Sequence, residues 1–146
     1  MSRLMILLIG LFLLAFGKLT FADPLSDLRL SPSELEWKKI STGNERAIIA
    51  GDDTKSGLYV YRIRFPANSK LAPHYHPDDR VGTVLSGTLY FGYGTEFAEG
   101  SLKALAAGSS WTEPANKPHF AWAKDEEVVI QVVGIGPSGT KQALSK

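Results

Sequence analysis

Between residues 36 and 136, apolar and polar positions alternate in short runs broken by glycine, proline, asparagine or aspartate, a pattern with the period of strands rather than helices. The clearest run is Leu58 to Phe65. It sets Tyr59, Tyr61, Ile63 and Phe65 on one face and Val60, Arg62 and Arg64 on the other, which predicts a half-buried antiparallel strand. Further strands are predicted at Glu36 to Ile40, Arg46 to Ala50, Leu71 to His76, Thr83 to Leu85, Thr88 to Tyr93, Ser109 to Thr112, His119 to Ala123 and Val128 to Gly134. Val128 to Val133 is apolar at nearly every position, so both of its faces are expected to be covered near the middle of the structure. Its polar interruption, Gln131, is expected to hydrogen-bond to backbone and to stay out of any pocket. The one helix the pattern allows is a short one around Glu96 to Leu105. Many short strands with regular turns indicate an all-β domain, a sandwich or small barrel.

The two ends read differently. Met1 to Ala22 carries Arg3, an apolar run from Leu4 to Phe16, and small Ala22 with Thr20 two before it, the layout of a secretory signal peptide cleaved before Asp23. Lys18 interrupts the run short of the ~20 residues a bilayer span needs. The expectation is a secreted or periplasmic protein, free of the membrane after cleavage. Residues 23–146 would form a single domain with an N-terminal arm over 23–35, a barrel core over about 36–136 and a frayed polar tail over 137–146.

Charge and cysteine content narrow the partners. The net charge of the chain is +1 with no basic cluster, so neither nucleic acid nor anionic lipid is expected as a partner. There is no cysteine, hence no disulfide and no thiol chemistry. Tyr59, Tyr61, Tyr90, Phe91 and Tyr93 are mostly core by this reading; if a row of them were exposed on one sheet face it would be a natural homodimer surface.

The chain has three histidines, and all of them fall at strand ends. His74 and His76 flank Tyr75, so on a strand both imidazoles leave the same face with Cα atoms roughly 6.5 Å apart, within reach of one ion, while Tyr75 faces away. His119 supplies a third donor. Neutral imidazole suits iron, manganese, zinc, copper and nickel, so the set predicts a divalent transition metal without choosing among them. Ala121 and Ala123 share the face of His119 and leave room for a ligand, whereas Phe120 and Trp122 take the opposite face as packing residues.

Pro73-His74-Tyr75-His76, then Arg80, then Gly87, resembles the first motif of the cupin superfamily. Gly108, Pro114, Ala115, Asn116 and His119 resemble its second, with Asn116 where the family prefers glycine. The resemblance covers Ala67 to about Ala123 and implies a cupin-type β-barrel, a double-stranded β-helix or jelly roll. It implies His74, His76 and His119 as metal ligands, and cupins are frequently homodimers. The chain departs from the family at Arg80, where the motif places a glutamate ligand, and at Ala123, where the second motif often ends in asparagine. Arginine cannot ligate a metal, so three histidines alone are expected, with Asp78 and Asp79 solvated or paired to Arg80.

Three neutral imidazoles leave a divalent ion its full charge and open positions, which predicts a small-molecule, anionic ligand or substrate. Arg80 reads as a surface residue; turned inward it would be a further donor to such an anion. Glu113, beside Pro114, reads as a turn carboxylate facing water; turned inward it would be a proton acceptor. These two are the candidate catalytic residues. The resemblance implies a metalloenzyme of dioxygenase type, with a non-enzymatic metal- or ligand-binding module or an isomerase as the alternatives.

Overall fold

The computed structural model describes residues 24–143. The expected leader lies outside those residues; among those described, no helix is long and apolar enough to cross a membrane. Eleven strands are formed: β1 (Lys38–Lys39), β2 (Glu45–Ala50), β3 (Gly57–Phe65), β4 (Ser69–Tyr75), β5 (Arg80–Ser86), β6 (Thr88–Tyr93), β7 (Lys103–Ala106), β8 (Ser110–Glu113), β9 (His119–Ala123), β10 (Val128–Gly136) and β11 (Lys141–Gln142). They make two antiparallel sheets, one ordered β1-β2-β3-β10-β5-β8 and the other β11-β4-β9-β6-β7. From β3 onward the chain changes sheet at every connection except β6 to β7. This back-and-forth path is a jelly roll, the barrel expected from the strand pattern.

The alternation decides what lies between the sheets. Tyr59, Tyr61 and Phe65 of β3 and Val128, Ile130 and Val132 of β10 face inward from the larger sheet, meeting Leu89, Phe91, Ala121 and Ala123 of the smaller one. Each large apolar side chain buried there contributes roughly 1.5–3 kcal/mol. Gly87 joins β5 to β6 at φ +74°, and a Cβ there would sit 2.5 Å from the Glu127 carbonyl oxygen, so the turn that sends the chain between sheets requires glycine.

Four expectations are corrected. Glu96 to Leu105 forms a single 3₁₀ turn, Glu99–Ser101, and then β7. Leu105 lies opposite Leu89 and is buried, so edge pairing with β6 overrides the helix preference of the alanines around it. β10 is central, between β3 and β5, but Val129, Gln131 and Val133 on its outer face are only half-buried. Gln131 bonds to a side chain and not to backbone, its Oε1 accepting from Arg62 Nε at 3.2 Å across the strand pair. As expected for most of the aromatic strand residues, Tyr59, Tyr61 and Phe91 point into the core, while Tyr93 is exposed. The tail is not frayed at its start: β11 pairs with β4.

Candidate metal centre

β4 and β9 are neighbours in the smaller sheet and bring the histidines together. Their register runs Leu71 opposite Ala121 and then His74 opposite His119, three residues on β4 against two on β9. This bulge falls at Ala72-Pro73, where proline has no N–H to offer a ladder, and it keeps both Leu71 and His74 inward although they are an odd number apart. His76 lies just beyond β4. The second-motif turn is fastened to it: Asn116 N–H donates to the His76 carbonyl at 2.7 Å and Ala115 N–H to Asp79 Oδ1 at 2.7 Å. Asn116 adopts φ +61°, the left-handed conformation that asparagine tolerates best after glycine, so its place at the family's glycine position is conformationally sound.

One donor atom from each of His74, His76 and His119 lies within 4.8 Å of the others, the one such histidine-based group among the described residues. Each Nδ1 faces a backbone carbonyl: Ala72 at 2.8 Å, Gly139 at 2.6 Å and Lys117 at 3.1 Å. A carbonyl only accepts, so every Nδ1 carries the proton and every Nε2 lone pair is left for a metal, the tautomer that ligating histidines need. His119 Nε2 is buried without a hydrogen-bond partner. Burial, above all, holds His76 down to about 3 and His119 down to about 4, and lowers His74, so the imidazoles are neutral at physiological pH. The donor set therefore fits a divalent transition metal.

The larger sheet supplies the facing wall. Arg80 opens β5 and Glu113 closes β8, directly opposite each other in register. Both are buried, 6% exposed, which corrects the expectation that Arg80 lies on the surface and Glu113 in water. Sequence reading took Arg80 as a lone surface residue, but β5 begins there and its side chain enters the barrel. Its donors are occupied by the protein: Nε faces Asp78 Oδ2 at 3.4 Å, Nη1 donates to the Tyr61 hydroxyl at 3.0 Å, and Nη2 contacts Ser138 Oγ and the Gly139 carbonyl. Asp78 also accepts from the Tyr59 hydroxyl and, at 2.5 Å, from Ser138 Oγ. Burial opposes the charge of Asp78, but these donors and Arg80 hold its pKa below the usual value. Asp78 and Asp79 are thus paired and not metal ligands.

Glu113 Oε1 accepts from Trp111 Nε1 at 3.0 Å, and Oε2 lies 3.6 Å from both His76 Nε2 and His119 Nε2. Burial raises the carboxyl of Glu113, against the opposing pull of Arg80 and Trp111. A cavity of about 730 Å³ opens beside these groups. Its walls mix polar and apolar groups; the apolar ones include Phe91, which stacks on His119 with centroids 5.5 Å apart, and Ala121. Tyr61 lines it too, its hydroxyl pushed up to about 12, chiefly by burial. Sequence reading missed Tyr61, Trp111 and the Ser138–Thr140 segment as parts of the site. For Tyr61 the signal was present, since it lies on the inward face of the best strand in the chain.

The cupin-domain family model matches residues 61–134, which contain both histidine motifs. Among solved structures, the chain is similar to an RmlC-like cupin from Shewanella frigidimarina (20% identity, TM-score 0.61, covering 77% of this chain and 94% of that one). It is also similar to the polyketide cyclase RemF from Streptomyces resistomycificus (13%, TM-score 0.69, 83% and 88%). A third similarity is to a salicylate 1,2-dioxygenase from Pseudaminobacter salicylatoxidans (16%, TM-score 0.58, 72% and 32%). No curated protein matches the sequence. Identities this low speak to fold alone. The matched model, however, spans half of the chain and encloses all three histidines at the end of the barrel, and the chain belongs to the cupin family.

Proposed function

We propose that this cupin is a metal-dependent small-molecule enzyme of dioxygenase type, with His74, His76 and His119 as ligands to iron, manganese, copper, nickel or zinc. The observation that carries the reading is the arrangement of the three imidazoles, each with Nδ1 tied to a carbonyl and Nε2 left free at the edge of a cavity. A divalent ion there supplies Lewis acidity and, where it is redox-active, activation of dioxygen, the oxidant whose two oxygen atoms would end in the product.

The chain's own residues define what can bind. The cavity would admit one small molecule, and a divalent ion among the histidines would favour an oxygen-donor anion such as a phenolate, enolate or carboxylate. Arg80 contributes charge and not a free fork, because its donors are already engaged. The Tyr61 hydroxyl accepts from Arg80 and keeps its own proton to donate to substrate. The fold hosts a dioxygenase and a cyclase among its relatives, so fold does not choose the reaction. The expected setting is extracytoplasmic, after removal of residues 1–22.

The test is elemental analysis of protein exported by its own leader and purified without chelator or histidine tag, followed by oxygen uptake with phenols, flavonols, dicarbonyls and thiols. Stoichiometric redox-active metal with substrate-dependent oxygen consumption is the expected result. Metal without oxygen consumption on the whole panel would favour a redox-silent enzyme or a binding module.

A further inference from the structure

We propose that Glu113 is a fourth protein ligand of the metal, supplied from β8 in place of the glutamate that the cupin motif carries at the position of Arg80 on β5. The inference rests on the reading that the three histidines hold a metal.

Arg80 and Glu113 are directly opposed on neighbouring antiparallel strands, and opposed residues share a sheet face. A carboxylate on β8 at this register therefore enters the barrel beside the place a carboxylate on β5 would occupy. The side chains have exchanged strands while the wall keeps one acid facing the histidines.

Two donors each about 2.1 Å from one ion, at angles between octahedral and tetrahedral, stand about 3.0–3.4 Å apart. Glu113 Oε2 lies 3.6 Å from His76 Nε2 and 3.6 Å from His119 Nε2. That is too long for a hydrogen bond to either ring and close to the spacing of two ligands on a shared centre.

Trp111 Nε1 fixes Oε1 at 3.0 Å and so orients the carboxylate. Oε2 is left facing the histidines, with Arg80 Nη1 at 3.8 Å, beyond hydrogen-bond range. A buried carboxylate oxygen needs a counter-charge, and Arg80 is largely committed to Asp78, Tyr61 and Ser138. A divalent ion among the Nε2 atoms supplies the charge that Oε2 lacks. The ligand set then carries one negative charge instead of none, which leaves the ion less attractive to a free anion than three histidines alone would.

Cobalt(II) alone is the probe, titrated into the chelator-stripped protein and followed by its visible absorption. Glu113→Gln should weaken cobalt affinity at least about 10-fold, the lower bound for losing even an outer-shell partner, and alter the absorption. Glu113→Asp should recover part of the affinity. Unchanged affinity and absorption in Glu113→Gln would overturn the inference, leaving the acid beside the metal and not on it. Should Glu113→Gln fail to fold, cobalt K-edge absorption on the unmutated protein reads the ligands directly, and a first shell of histidine and water with no carboxylate would equally overturn it. If the unmutated protein takes up no cobalt, or no more than His119→Ala does, the three-histidine reading itself fails.

Discussion

Arg80 and Glu113 oppose each other in register across β5 and β8, both buried, with Nη1 and Oε2 3.8 Å apart. A guanidinium at a position where the motif has a metal ligand would be ruinous if it were unpaired. Here it is received by Asp78 two residues earlier, by Tyr61 on β3 and by Ser138 from the far end of the chain. The arginine is a buttress beneath the three-histidine cluster, donating to the Tyr61 hydroxyl and standing beside Glu113.

Removing that buttress should unsettle the fold more than the surface. Arg80→Met leaves Asp78 buried without its cation, and breaking a buried pair from one side costs about 3–5 kcal/mol. The hydrogen bonds from Tyr59 and Ser138 to Asp78 place the expected loss near the lower end. Arg62→Met, on the half-buried outer face where the partner is Gln131, should cost under about 1 kcal/mol. Urea unfolding of the two variants measures the difference, and Arg80→Met with Asp78→Asn should recover part of the loss.

Acid should weaken the metal-free protein well before the carboxylates titrate. Folded His76 and His119 take up protons only near 3 and 4, whereas unfolded histidines do so near about 6.5. Between those values the unfolded chain binds more protons, so stability falls as pH drops, at about 1.4 kcal/mol per pH unit for each such histidine. His74 is shifted the same way. Glu113 is raised and works in the opposite sense, one carboxyl against three imidazoles, so the net fall persists. Denaturation midpoints of chelator-treated protein at pH 7 and pH 5 read the slope directly; equal midpoints would mean that the histidines are solvated.

The fold was legible because the strands carry their own period. β3, β4, β6, β8, β9 and β10 were each marked by alternation or an apolar run between turn residues, and the histidine spacing pointed to one site. What could not be read was sidedness at strand ends. Whether Arg80 begins a strand or ends a turn depends on its pairing with Glu113, a partner more than thirty residues away, and that pairing alone sends both side chains inward. β11 was invisible for a similar reason: Lys141-Gln142 has no apolar pattern, and only β4 gives it a partner.

Glycine 82 tests how firmly Glu113 is held. Gly82 lies opposite Trp111, and a Cβ added there would stand 2.2 Å from Trp111 Cζ2. The indole is buried and cannot swing clear without moving the Nε1 that donates to Glu113. Gly82→Ala should therefore destabilise by about 1–3 kcal/mol, the usual range for overpacking, and weaken metal binding together with it. Gly100→Ala, where nothing lies within 4 Å, should leave both unchanged. Thermal melts with a cobalt titration on each variant separate a shared effect from simple loss of stability.

The C-terminal segment should prove to be part of the metal site. Ser138 donates to Asp78 at 2.5 Å and contacts Arg80, Gly139 accepts from His76 Nδ1 at 2.6 Å, and β11 lies against β4 beside His74. Ending the chain after Pro137 removes the carbonyl that fixes the His76 tautomer, so Nδ1 and Nε2 compete for the proton and the ligand is no longer pre-aligned. Loss of such a partner typically weakens metal affinity about 10–100-fold, and the same truncation strips Asp78 of a donor. Ser138→Ala isolates the second effect: it should cost about 1–3 kcal/mol of stability, the penalty for an unmet buried acceptor, while leaving the Gly139 carbonyl on His76 in place. Cobalt affinity should thus fall sharply for the truncation and little for Ser138→Ala. Equal affinities in the truncated and full-length proteins would show that β4 and β9 orient the histidines unaided.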